Sequence, residues 1–246
     1  MANRTRVGQL DCIVVDGGDN PSIPVVICHG YGASYEDLAP LSGEWIALLG
    51  DKSDAFRFVF PDAPNSLVDL GMPGGRAWWP INMAQLAEAV QASRFDELHD
   101  KTPPGIDEAR DLLSETIDEL CEPLNGNSTP LVLGGFSQGA MLAMDTSLRG
   151  SVQSPELLFQ FSGTVVCRTD WQSNLNRLRQ TVVFQSHGKI DPILPYTSAL
   201  TLHDMLDQAD INIEFHSFMG PHTIDVDSVQ RTAMALSDLF DRVDRD

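Results

Sequence analysis

The chain has 246 residues, 42% of them hydrophobic, enough to fill one large core, yet it has no apolar run of about 18 residues that could cross a bilayer. Its 35 acidic residues against 16 basic ones give a net charge of −19; such a surface repels phosphate backbones and anionic headgroups, which argues against nucleic acid as a partner and against integral membrane association. The polar opening Met1–Leu10 lacks the apolar stretch of a signal peptide, and the scattered Cys12, Cys28, Cys121 and Cys167 lack metal-ligand spacing, so the expectation is a reduced, cytoplasmic protein.

Taken in chain order, Leu10–Val15 and Val25–Cys28 are short apolar runs that predict strands, and their cysteines read as small buried hydrophobes. Leu38, Leu41, Trp45, Leu48 and Leu49 then recur at helical spacing, and Phe56–Phe60 predicts another strand. From Pro61 to Gly105 the pattern breaks into an irregular insertion with Met72-Pro73-Gly74-Gly75, the pair Trp78-Trp79 and Pro103-Pro104-Gly105, with one helix near Met83–Phe95. Ile106, Ala109, Leu112, Leu113, Ile117, Leu120 and Leu124 mark an amphipathic helix that should stop before Asn125-Gly126-Asn127. Beyond it, strands at Leu131–Phe136, Leu157–Phe161, Thr181–Gln185 and Ile211–Phe218 alternate with helices at Ala140–Leu148, Thr197–Leu206 and Val226–Val243. Without repeats or a linker, the reading is a single domain over 1–246: an α/β fold with a mostly parallel central sheet and helices on both faces.

Gly135-Phe136-Ser137-Gln138-Gly139 follows the run Leu131-Val132-Leu133 and opens the helix near Ala140. This strand–turn–helix setting is what a G-x-S-x-G nucleophile elbow requires, and it points to the α/β-hydrolase fold. Glycines flank the serine because so tight a turn leaves no room for side chains, and the helix start favours negative charge developing beside the serine. Ser162, in Phe161-Ser162-Gly163, lacks the second glycine and reads as structural, at most lining the site.

In that fold the acid and the base follow the serine, each on a loop after a strand. Asp191 lies in Ser186-His187-Gly188-Lys189-Ile190-Asp191-Pro192, and the proline keeps it out of helical geometry; Asp225 and Asp170 are the next carboxylates in line. Of the six histidines, His99 and His203 have no link to a strand end, His216 lies within the last strand, and His29 and His187 read as structural hydrogen-bonders. His222, in Met219-Gly220-Pro221-His222-Thr223, alone has both the chain order and the loop position of a base. His29-Gly30-Tyr31-Gly32 supplies an oxyanion loop in which the N–H of Tyr31 joins that of Gln138, each such donor being worth roughly 10²–10³ in rate. It is no phosphate loop, because no Gly-Lys-Ser/Thr follows.

Together these segments resemble the phospholipase/carboxylesterase family, which includes acyl-protein thioesterases: the HGxG loop at His29–Gly32, G-F-S-Q-G at Gly135–Gly139, HGKIDPILP at His187–Pro195, Gly220-Pro221-His222, the Phe60-Pro61-Asp62-Ala63-Pro64 segment, and Ala77-Trp78-Trp79. The resemblance spans Val25 to His222. It departs from the family at Ala33 and Pro80, where many members carry Asp, and at Tyr31, where Leu is commoner. It implies hydrolysis of carboxylic esters or thioesters with neither metal nor organic cofactor, and it puts Trp78 and Trp79 near the acyl-binding mouth. Acyl transfer by the same triad and a non-catalytic binding module are the competing readings; the second runs against the fact that no triad member is missing.

Overall fold

The computed structural model describes residues 2–121 and 129–245. The predicted helix stop at Asn125-Gly126-Asn127, with Leu124 before it, lies outside the described residues. The strands are β1 (Ala2–Val7), β2 (Leu10–Asp16), β3 (Ile23–Cys28), β4 (Phe56–Pro61), β5 (Asn65–Ser66), β6 (Arg76–Ala77), β7 (Val132–Phe136), β8 (Leu157–Phe161), β9 (Val182–Gly188) and β10 (Asn212–Phe218). The α-helices are α1 (Tyr35–Leu38), α2 (Leu41–Leu49), α3 (Met83–Gln91), α4 (Ile106–Leu120), α5 (Gln138–Arg149), α6 (Arg168–Asn174), α7 (Tyr196–Asp207) and α8 (Val226–Val243).

One eight-stranded sheet runs in the order β1-β2-β4-β3-β7-β8-β9-β10. From β4 to β10 all neighbours are parallel, while β2 pairs antiparallel with both β4 and β1. The central runs are apolar throughout because both of their faces are buried, and the pleat sends alternate residues to opposite sides. Val25 and Ile27 join Phe56, Phe58, Phe60, Phe159 and Phe161 under α2 and α8. Val26 and Cys28 join Val59, Leu133 and Leu158 on the face covered by α4, α5 and α7. Helices therefore cover both faces, as the alternation of elements predicts.

Several elements were not legible in the sequence. The polar N-terminus forms β1, an edge strand whose side chains are exposed except Val7; it turns back through Gly8, at φ +58, to pair Val7 with Leu10. An edge strand is held by its backbone bonds, so it needs no apolar pattern. The helical spacing at Leu38–Leu49 resolves into α1 and α2, separated at Pro40, and Leu48 points to solvent while Trp45 is fully buried. Trp45 Nε1 donates to Thr232 Oγ1 at 3.0 Å and ties α2 to α8. α6 was missed as well. Its Trp171 Nε1 donates at 2.8 Å to Asp145, a fully buried carboxylate in α5 that also takes Arg149 at 3.0 Å and Arg110 at 3.3 Å. A charge so deep is tolerated because two guanidinium groups and an indole N–H donate to it.

The insertion is more ordered than its composition suggests. β5 and β6 form a short antiparallel ribbon, α3 is capped by Asn82, and a 3₁₀ turn covers Phe95–Leu98. It is held down by buried Trp78, Trp79, Phe95 and His99.

Two glycines test this packing. A Cβ on Gly134 in β7 would lie 2.7 Å from Phe159 Cβ and 2.8 Å from the Phe159 carbonyl oxygen on β8, whereas a Cβ on Gly43 in α2 would meet nothing within 4 Å. Gly134→Ala is expected to cost about 3 kcal/mol or more, lowering Tm by roughly 6 °C or more, while Gly43→Ala should raise Tm by about 1–4 °C. Thermal unfolding followed by circular dichroism checks both, and an equal Tm for the two variants would contradict the packing described.

Candidate active site

The site forms at the carboxyl ends of β3, β7, β8, β9 and β10. Ser137 ends β7 and caps α5 with φ +55 and ψ −116, a backbone conformation that strains any residue with a side chain. It is held there by close packing. A Cβ on Gly135 would lie 2.4 Å from the Gly139 carbonyl carbon and 2.7 Å from the Cys28 oxygen, and one on Gly139 would lie 2.1 Å from that same oxygen. The turn is locked by the Ser137 N–H, which donates to the Phe161 carbonyl at 2.9 Å.

The predicted acid and base come together from two loops packed equally closely. A Cβ on Gly188 would lie 2.3 Å from the carbonyl oxygens of Gly220 and Pro221, and the N–H of Ile190 donates to the Gly220 carbonyl at 3.2 Å. His222 Nδ1 lies 2.6 Å from Asp191 Oδ2. Asp191 Oδ1 accepts from the N–H groups of Ile193 at 2.8 Å and Leu194 at 2.9 Å, and His187 Nε2 stands 3.3 Å from Oδ2. Burial alone would raise the Asp191 pKa. The bonds from His187 and His222, the charge on His222 and the Leu194 N–H outweigh it and hold the carboxyl well below the usual range. Phe136 packs on the His222 ring with centroids 4.7 Å apart.

Ser137 and His222 line one cavity of about 770 Å³, with Tyr31 and Gln138 in its wall. Among the described residues the Ser137 hydroxyl and His222 Nε2 make no hydrogen bond, and the N–H groups of Tyr31 and Gln138, the predicted oxyanion donors, also have no partner. The rest of the wall is mostly apolar and includes Trp79, Ile81, Leu86, Met141, Val165 and Val166. Trp79 is thus on the cavity, but Trp78 is not. Trp78 is buried against the His29 ring at 5.5 Å between centroids, and its Nε1 donates to the His29 carbonyl at 2.9 Å. Of the expected pair, the structure therefore brings only Trp79 to the cavity.

The other histidines fall into place. His29 is a structural hydrogen-bonder: its Nε2 accepts from the Ala63 N–H at 3.0 Å. His216 pairs with Asp225 at 2.9 Å, and Asp170 lies 3.5 Å from Arg149, so neither spare carboxylate reaches His222. Ser162 is buried at φ +49, and its Oγ donates to the Thr223 carbonyl at 3.3 Å, supporting the His222 loop rather than lining the cavity. His99, read as unconnected, is fully buried and shares hydrogen bonds with Ser198 and Thr164; burial pushes its pKa down to about 4.

Sequence reasoning also missed the side chain of Gln138. Its Oε1 accepts from the Trp78 N–H at 3.0 Å and its Nε2 donates to the Trp79 carbonyl at 2.8 Å. A glutamine offers a donor and an acceptor on one amide, which matches the Trp78 N–H and Trp79 carbonyl that the bend at these residues turns towards it. A polar residue at the first turn of a buried helix is the signal that could have pointed to it.

A family model described as Phospholipase/Carboxylesterase matches residues 10–239. The chain is 32% identical over 183 residues to an acyl-protein thioesterase 1 from Kluyveromyces lactis, covering 70% of each chain. It is 26% identical over 222 residues to an acyl-protein thioesterase 1 from Candida albicans, covering 82% of this chain and 85% of that one. Among solved structures, esterase PE8 superposes with a TM-score of 0.72 at 26% identity, covering 92% of this chain and 96% of its own. Acyl-protein thioesterase 2 from Zea mays, at 18% identity and a TM-score of 0.64 over 93% and 98% of the two chains, shares the fold.

The Gln138 clamp yields a prediction. Gln138→Leu leaves the Trp78 N–H and the Trp79 carbonyl buried without partners, so it should cost at least about 2 kcal/mol and lower Tm by roughly 4 °C or more. An unchanged melting temperature would mean the tryptophan segment is held by other contacts.

Proposed function

The chain belongs to the phospholipase/carboxylesterase family, and from that premise we propose that it is a serine hydrolase that cleaves carboxylic esters or thioesters through an acyl-enzyme formed on Ser137. One observation carries this reading: a strained serine at the head of a helix shares an apolar cavity with a histidine whose far nitrogen is 2.6 Å from a buried carboxylate. His222 Nε2 takes the Ser137 proton as Oγ attacks the acyl carbon. The Tyr31 and Gln138 N–H groups receive the oxyanion. His222 then protonates the departing alcohol or thiol, and a water, deprotonated by the same imidazole, releases the acid and restores Ser137. Asp191, bonded to Nδ1, fixes the tautomer that leaves Nε2 free to accept and stabilises the imidazolium. The relatives named for acyl-protein thioester cleavage make thioesters a substrate class to test beside oxygen esters.

The whole chain, 1–246, works as one hydrolase domain, with the 61–105 insertion forming part of the acyl wall through Trp79 and Ile81. Cytoplasmic residence is supported by four free cysteines, of which Cys12 is buried with its thiol pushed up to about 12. Among the described residues no helix is long and apolar enough to cross a membrane.

Ser137→Ala is expected to reduce ester turnover by about 10⁶-fold and abolish fluorophosphonate labelling while leaving the fold intact; Asp191→Asn should lose about 10⁴-fold in kcat. Turnover by the serine variant within tenfold of wild type would refute the reading.

A separate prediction concerns the acyl wall. Trp79→Ala should weaken kcat/KM for octanoyl esters more than for acetyl esters, because each buried CH₂ is worth about 0.8 kcal/mol and acetate has no chain to lose contacts. Equal losses on acetyl, butyryl and octanoyl substrates, with a lowered Tm, would make Trp79 a purely structural residue.

A further inference from the structure

The acyl cavity is apolar over most of its wall but carries one ammonium group with no partner. Lys101 is the only lysine or arginine among the described residues lining it. Its Nζ makes no ion pair or hydrogen bond among the described residues. Lys52, Arg57, Arg76, Arg110, Arg149 and Arg231 each hold a carboxylate; Lys101 is exposed and, among the described residues, unpaired, and what sets it apart from other unpaired basic residues such as Lys189 and Arg242 is that it lines the cavity of Ser137 and His222. Even the adjacent Asp100 is taken by Arg168, at 3.2 Å.

Its position in the wall follows from backbone bonds. The Ser137 N–H donates to the Phe161 carbonyl at 2.9 Å, and further along the same segment the Cys167 N–H donates to the Lys101 carbonyl at 3.1 Å. Thr164, Val165 and Val166 line the cavity between these points. The Lys101 backbone is thus tied to the opposite end of this wall segment from the serine, at Cys167 rather than Phe161. The cavity's carboxylate, Asp37, lies on the other side, where it also lines a groove with Phe136 and His222.

A methyl-terminated chain gains nothing from a charge at the far rim. A chain ending in a carboxylate does: its methylenes lie against Val165 and Val166, and the anion meets Lys101 where both stay partly hydrated, avoiding the cost of burying an unpaired charge. Resting on the reading of this cavity as the acyl site of a hydrolase, we propose that Lys101 selects acyl groups whose far end carries a carboxylate, that is, half-esters or half-thioesters of medium-chain dicarboxylic acids.

The test pairs p-nitrophenyl monoesters of adipic, suberic and sebacic acids with hexanoyl, octanoyl and decanoyl esters, and reads the ratio of kcat/KM at matched chain length. Misfolded or inactive enzyme cancels from that ratio. Lys101→Met should lower it by roughly five- to tenfold and Lys101→Arg should keep it, while about 1 M salt should lower the wild-type ratio. A ratio that is the same in wild type and Lys101→Met overturns the proposal while the hydrolase reading stands. Turnover of neither ester by the wild type would overturn the hydrolase reading itself, and the role of Lys101 with it.

Discussion

The candidate active site depends on one close approach, that of Gly139 to the end of β3, where an added Cβ would fall 2.1 Å from the Cys28 oxygen. That contact lets the first turn of α5 press against the His29–Gly32 loop, so the serine and both proposed oxyanion donors share one small region. The backbone at Ser137 costs of the order of 1–3 kcal/mol in strain. The cost is borne by the surrounding core: α5 is buried from Gln138 to Leu148, and the Ser137 N–H is tied to β8. Cys28 completes the arrangement as a fully buried side chain whose thiol is pushed far up by burial, so its sulfur is inert packing.

A net charge of −19 would seem a poor setting for a buried carboxylate that must stay ionised. It has little effect, because charges beyond about 8–10 Å are screened at ordinary ionic strength, while Asp191 is bonded within 3.3 Å to two histidines and two backbone N–H groups. His187, read as a structural hydrogen-bonder, belongs to that cage: its Nε2 also bonds the Leu194 carbonyl at 2.9 Å, which fixes the loop on which Asp191 sits. The acid is thus set by local geometry, and the acidic surface is free to serve solubility.

The parts of this architecture legible in the sequence are those where one physical demand dominates. Central strands must be apolar on both faces, so β3, β4, β7 and β8 were readable to within a residue or two. An elbow must have glycine where backbones touch, so Ser137 could be placed. Elements held mainly by backbone bonds, such as β1, and those anchored by a single buried residue, such as α6 through Trp171 and its bond to Asp145, leave no periodic trace. β9 runs on through His187 and Gly188, which read as loop because a glycine packed against Gly220 and Pro221 looks the same in sequence as a glycine in a turn. Trp78 and Trp79 could not be told apart, since composition says nothing about which way each faces.

The insertion completes the cavity, and its anchoring decides what kind of wall it makes. At one end the Gln138 amide grips the backbone of Trp78 and Trp79. Near the other, His99 is locked to Thr164 and Ser198, and the carbonyls of His99 and Lys101 accept from the N–H groups of Arg168 and Cys167. The Gln138 amide and His99 Nε2 are buried and bonded in this arrangement, and detaching either would strand donors and acceptors away from water at about 1–3 kcal/mol apiece. His99 suits the task because burial keeps it uncharged at neutral pH, so no acidic partner is needed at its Nε2. The segment between the anchors, α3 and its flanks, is bound to the core mainly by side-chain packing, with Ala89 its buried residue. The cavity wall therefore combines two fixed ends with a span tied to the core mainly through side chains.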